Sequence, residues 1–107
     1  MLWYHFIAYF FAGAFFTNGI PHFVSGVQGR PFQSPFAKPP GEGLSSSTVN
    51  VLWGSFNFVV VYVLTNFVGD FDLRNWGSSV SAALGALVMA LFAARTFSKF
   101  HGGNQPA

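Results

Sequence analysis

Residues 49–69, VNVLWGSFNFVVVYVLTNFVG, run for twenty-one positions without one charged side chain. At a rise of about 1.5 Å per residue, a helix of that length covers about 30 Å, the hydrocarbon thickness of a bilayer. Ser45, Ser46, Ser47 and Thr48 stand directly before it, and any of them can cap a helix by accepting a backbone N–H. This is the pattern of a membrane-spanning helix.

Composition extends the same solvent to the rest of the chain. Of 107 residues, 51% are hydrophobic and 7% charged, whereas a soluble surface carries roughly 25–35% charged residues. Five cations and three anions cannot hydrate a domain of this size. Aromatic residues at 20%, fifteen of them Phe, exclude a solvated disordered coil. The net charge of +2 rests on so few cations that they read as topology signals, and nucleic acid is not an expected partner. With no cysteine there are no disulfides, thiolate metal sites or thiol nucleophiles.

Outward from the opening stretch, MLWYHFIAYFFAGAFFTNGI at the N-terminus is a second apolar run, and Asn18-Gly19-Ile20-Pro21 supplies helix-ending chemistry. Met1–His5 holds no Lys or Arg, so a retained helix is expected rather than a cleaved signal. SVSAALGALVMALFAARTF, residues 79–97, is the third run. The expected fold is all-α: one integral membrane domain over 1–107, with three transmembrane helices at about 2–20, 48–69 and 78–99 in an up-down-up bundle. Residues 21–47, with five of the six prolines, form a long Pro/Gly-rich loop between helices 1 and 2, and 100–107 is a polar tail. The short polar link Asp70–Gly77 makes the second and third helices expected antiparallel neighbours. Arg30, Lys38, Arg95 and Lys99 lie on one side against Arg74 on the other, which places the N-terminus out and the C-terminus in.

Helix faces carry the next inference. Ser78, Ala82, Ala86, Ala90 and Ala94 recur every four residues, with Gly85 on the adjoining row, forming a small-residue stripe that permits close helix approach. The plainer reading is alanine as a helix-tolerant filler. Asn50, Gly54 and Asn57 share one face of the second helix. An unpaired amide is costly in hydrocarbon, so both side chains should bond across helices and set register. Alternatively, they line a polar pathway. In the loop, Phe23, Phe32 and Phe36 alternate with polar residues beside Arg30 and Lys38, a pattern suited to lipid or partner contact, or to an ordered cover over the helix ends.

Chemistry is sparse. His5 and His22 are the possible ligands for a haem or chlorophyll-type pigment, but no two of the three histidines share a helix at ligand spacing. Asp70 and Asp72 read as a hydrated loop, or as a weak cation site on the outer side. No paired carboxylates, Glu-x-x-His, nucleophile set or phosphate loop is present, so no catalytic residue, metal or cofactor is expected.

The string Asn18-Gly19-Ile20-Pro21-His22-Phe23-Val24-Ser25-Gly26, followed by Gly29-Arg30-Pro31-Phe32-Gln33-Ser34-Pro35-Phe36-Ala37, resembles that of small uncharacterised bacterial multi-span inner-membrane proteins. The resemblance implies a bacterial inner (cytoplasmic) membrane and carries over no functional residue. The leading expectation is a non-enzymatic accessory or scaffold subunit of a membrane complex or a homo-oligomer, in contact with the lipid bilayer. The alternatives are a protomer of an oligomeric channel or transporter, with Asn50, Asn57 and Thr65 lining its path, and a pigment-carrying subunit.

Overall fold

The computed structural model describes residues 2–103. Three helices dominate: α1 (Trp3–Val27), α2 (Ser47–Val63) and α3 (Trp76–His101). Two-residue strands β1 (Phe32–Gln33) and β2 (Leu44–Ser45) pair antiparallel between α1 and α2, with Phe32 opposite Ser45 and Gln33 opposite Leu44. A π-helical turn, Leu64–Val68, prolongs α2. The continuous segment Ser47–Val68 and the helix α3 are both long and apolar enough to cross a membrane. The molecule measures 42 × 32 × 22 Å.

Local chemistry accounts for most boundaries. Ser46 caps α2 by accepting from the Val49 N–H at 3.1 Å, and Asn75 caps α3 by accepting from the Ser78 N–H at 3.0 Å. Gly102, at φ 72°, closes α3 in the left-handed conformation that glycine adopts without strain. Thr65 Oγ1 donates to the Val61 carbonyl at 2.8 Å and Asn66 Nδ2 to the Tyr62 carbonyl at 3.1 Å, occupying acceptors where the ladder widens into the π turn.

The first helix departs from expectation. α1 does not stop at Asn18-Gly19-Ile20-Pro21 but continues to Val27, so the connecting loop is shorter than 21–47 and begins at Gln28. Pro21 removes one helical hydrogen bond, a change that costs roughly 3 kcal/mol in an exposed helix. Contact with α2 offsets it. A Cβ on Gly19 would meet Asn57, Phe58 and the Gly54 carbonyl, and one on Gly26 would meet Val51 and the Ser47 carbonyl, so α1 lies backbone-close to α2 on both sides of the proline. The loop itself is not devoid of regular structure, because the β1–β2 pair closes it. Of the expected polar tail, Phe100 and His101 belong to α3, and 104–107 lie outside the described residues, as does Met1.

The order of packing also differs. α1 packs along both α2 and α3, whereas α2 and α3 scarcely touch each other, so the chain forms an open layer with α1 in the centre rather than a closed up-down-up bundle. The short Asp70–Gly77 link therefore does not make α2 and α3 neighbours. Tyr9 holds its start instead, accepting from the Asp70 N–H at 2.8 Å and setting its ring across Phe71.

Burial runs opposite to that of a water-soluble domain. The largest fully buried side chains are Tyr9, His22, Asn50, Asn57, Ser34 and Ser78, and the buried apolar residues are Tyr9 and four alanines. Trp3, Phe11, Phe16, Leu52, Phe56, Phe67, Leu87, Leu91 and Phe92 all face outward.

Candidate functional site

The polar side chains that sequence periodicity aligns on α2 all meet α1. Asn57 and Asn50 are 0% exposed, and Gly54 is buried beneath Phe23. Asn57 Nδ2 donates to the Trp53 carbonyl at 2.7 Å, which leaves its Oδ1 to accept from Asn18 Nδ2 at 3.1 Å. About two helical turns nearer the hairpin, Asn50 Nδ2 is shared among the carbonyls of Phe32, Ser45 and Ser46 at 3.0–3.2 Å. Its Oδ1 must then accept, and the partner is His22 Nδ1 at 2.8 Å.

This fixes the imidazole. Because the amide oxygen can only accept, Nδ1 carries the proton, and in the neutral ring Nε2 presents a lone pair. His22 is 2% exposed, with the rings of Phe32, Phe97 and Trp53 packed edge-on at centroid distances of 5.4, 6.2 and 6.3 Å. Asn50 thus ties three elements to one point: α1 through His22, β1 through Phe32, and β2 through Ser45.

α3 reaches the same end of the molecule by its last two turns. His101 stacks on Phe32 at 5.2 Å and its Nε2 pairs with Gln33 Oε1 at 3.0 Å, while Phe97 lies 4.9 Å from Phe32. His22 and His101 therefore meet opposite parts of one phenylalanine. Ser34 and Ser45 hydroxyls bond to each other across the hairpin. Lys99 and Glu42 approach at 4.0 Å on the surface, where an ion pair contributes little.

Between these elements lies a cavity of about 360 Å³. The pocket is open to the surface; Asn18 and His22 of α1, Trp53 of α2 and Phe92, Thr96 and Phe97 of α3 line it together with Gln33, Ser34, Pro35, Pro40 and Gly41 of the hairpin loop. No lining residue is charged. Trp53 Nε1 is buried with no hydrogen-bond partner among the described residues.

Several residues singled out from sequence lie elsewhere than expected. Phe23 and Phe32 do not belong to a lipid- or partner-facing loop. Phe23 sits in α1 against Phe58, at 5.6 Å, and Phe32 is enclosed by both histidines, because the longer α1 and the hairpin turn them inward. Arg30, Phe36 and Lys38 do remain on the surface, with Phe36 edge-on to Trp53 at 5.2 Å. On α3, Ser78 and Gly85 are buried and Ala82 and Ala86 half-buried against α1, but Ala90 and Ala94 are exposed. A four-residue step overshoots a helical turn by about 40°, so three or four steps rotate a residue about 120–160° away from the seam. The contact row passes instead through Met89, Ala93, Thr96 and Phe97. His5 is half-buried between Tyr4 and Tyr9. It stands seventeen positions, or about 25 Å of helix rise, from His22, so the two possible ligands cannot share one metal. Among the described residues no cluster of three or more His, Cys, Asp or Glu side chains forms.

Sequence reasoning missed Asn18, Trp53, Gln33, Thr96 and Phe97 as site residues. Asn18, His22 and Gly26 do stand at four-residue spacing, a helical signal that the intervening Pro21 masked. Comparison with known protein families, with curated proteins and with solved structures gives no match.

Proposed function

We propose that this chain is a three-span integral membrane protein that works through helix packing, as an accessory or scaffold subunit of a larger membrane complex or of a homo-oligomer. The observation that carries the reading is the inverted burial: asparagines, a histidine and serines inside, phenylalanines, leucines and tryptophans outside. In water such a surface would aggregate, whereas lipid tails solvate it and leave polar bonds and close backbone contacts to hold the helices together. α2 with its π turn and α3 each suffice in length and apolarity to cross a bilayer. α1 lies between them, carries no Asp, Glu, Lys or Arg from Trp3 to Val27, and exposes Phe6, Ile7, Phe11, Phe16 and Ile20. A central helix flanked by two spans shares their solvent.

The hairpin end, with Arg30, Lys38, Arg95 and Lys99, is the cytoplasmic side of a bacterial inner membrane, with the N-terminus outside. A pathway lined by Asn50 and Asn57 draws no support, since both amides are consumed inside the α1–α2 contact.

The chain has no native cysteine, so single cysteines report topology cleanly. Glu42→Cys should react with a membrane-impermeant maleimide only in inverted vesicles and Leu73→Cys only in right-side-out cells. Labelling of both from one side would end the three-span reading. Extraction into lipid nanodiscs without surfactant, followed by mass measurement of the intact particle, should give several copies or additional chains. A lone monomer would remove the scaffold role and leave the membrane topology standing.

A further inference from the structure

We propose that the outward groove of α2 beneath Phe36 is a site for an anionic phospholipid, with one acyl chain lying in the groove and the headgroup phosphate at Lys38. The site rests on the spanning topology proposed above, which puts the hairpin at headgroup level.

The hairpin itself makes the groove. Phe36 reaches from the loop and sets its ring edge-on to Trp53 at 5.2 Å, and Trp53 in turn stacks on Phe56 at 5.8 Å. With Val49 and Leu52 these rings line an open groove of about 470 Å³ that no polar atom faces. Leu52 and Phe56 each stand two residues from Gly54, about half a turn of helix from the face that meets α1. The groove therefore looks into the solvent of the spans.

Its direction selects a lipid. Val49 belongs to the first turn of α2, beside the hairpin, and Phe56 lies about 10 Å further along the helix axis. An acyl chain descending from a headgroup follows that line. A neighbouring helix would need a matching face along the whole span, whereas the lining residues end at Phe56.

Charge selects the headgroup. Arg30, Lys38, Arg95 and Lys99 are exposed at this end against one acid, Glu42, while the opposite link carries Asp70 and Asp72 against Arg74. Glu42 is drawn to Lys99, and Lys38 has no acidic partner among the described residues. Lys38 stands two residues beyond Phe36, so its Cα lies within about 7 Å of that of the residue that roofs the groove. A Cβ on Gly43 would overlap the Lys38 carbonyl, and the Gly41 N–H donates to the Ser34 carbonyl at 2.8 Å, so the hairpin tip packs on its own backbone and keeps Lys38 near Phe36. An ammonium on a flexible four-carbon stem stays at the headgroups while its stem lies along apolar surface. A zwitterionic lipid brings its own cation to that point and gains less.

The test reads contact between lipid and Trp53. Trp3→Phe with Trp76→Phe removes two side chains that are 73% and 84% exposed and leaves Trp53 as the only tryptophan. The full chain carrying this pair is reconstituted into mixed vesicles of phosphatidylcholine and phosphatidylglycerol, with bromine in the upper part of the acyl chains of one lipid or the other. Bromine quenches the indole only at close range. Quenching by phosphatidylglycerol should exceed that by phosphatidylcholine at equal mole fraction, with a relative binding constant of about five at low salt that falls as salt rises. Lys38→Arg should keep the preference. Lys38→Gln should abolish it with quenching by phosphatidylcholine unchanged, and Arg95→Gln should leave it in place.

An equal loss in Lys38→Gln and Arg95→Gln would mean attraction to the leaflet as a whole, and equal quenching by the two lipids in the parent chain would mean no selection. Emission insensitive to bromine in either lipid would mean that protein, such as a second copy of this chain, covers the groove. Each of these overturns the anionic-lipid site and leaves the topology standing. A chain that fails to float with the vesicles removes the spanning reading and the site together.

Discussion

The two faces of α1 hold their neighbours by different physics. Toward α2 the contact is polar and directional: Asn18 with Asn57, His22 with Asn50, and glycines 19, 26 and 54 allowing the amides to reach. Toward α3 it is close and carries no side-chain bond: a Cβ on Gly13 would overlap the Ala82 carbonyl, and one on Gly85 would overlap the Phe10 carbonyl. Hydrogen bonds between membrane helices are individually modest, so the first face specifies register more than it adds stability. The second depends on dispersion between backbones, which any added volume destroys. One interface is selected by direction, the other by distance.

The sharpest way to break that contrast is Gly85→Leu. Its side chain has only the Phe10 backbone to displace, so α1 and α3 must separate, at a cost of about 3 kcal/mol or more, read as loss of helicity at lower surfactant denaturant in micelles. Asn50→Leu comes next. It strands the His22 N–H and removes the amide donor shared by the Phe32, Ser45 and Ser46 carbonyls, and about 2 kcal/mol is expected on the same titration. Pairing it with His22→Phe in a double-mutant cycle should recover part of that loss, because the orphaned imidazole N–H is then removed. Asn57→Leu breaks one cross-helix bond and should cost only ~0.6 kcal/mol. Ala90→Leu and Ala94→Leu, both exposed, should leave monomer stability within about 0.5 kcal/mol. Any effect of theirs on assembly would then report a contact between chains. Glu42→Gln is the smallest change, with no measurable shift expected from an exposed pair.

Much of this layout is readable in one dimension. The cap at Ser46, the length of the second and third helices and the shared face of Asn50, Gly54 and Asn57 follow from periodicity and from hydrogen-bonding chemistry that acts within a few residues. The continuation of α1 through Pro21 does not. A proline's local cost can be computed from sequence, but the packing that offsets it lies far along the chain, at Gly54 and Asn57. The alanine row leaves the contact with α1 after Ala86 for a related reason. Ala82 to Ala94 is regular along the chain, yet a straight partner can follow such a row for only two or three turns before the helix rotates it aside.

Composition and hydrophobic patterning decide the solvent and the helical class, since both depend on how each residue partitions between water and an apolar phase. They also show that asparagines on an apolar helix must find partners. Only the folded arrangement decides which ones. Placing α1 between the other two helices brings Asn18 to Asn57 and His22 to Asn50, and sets the proline hairpin beside Trp53 at a shared pocket. Those are relations between segments far apart in the chain, and packing in three dimensions is what sets them.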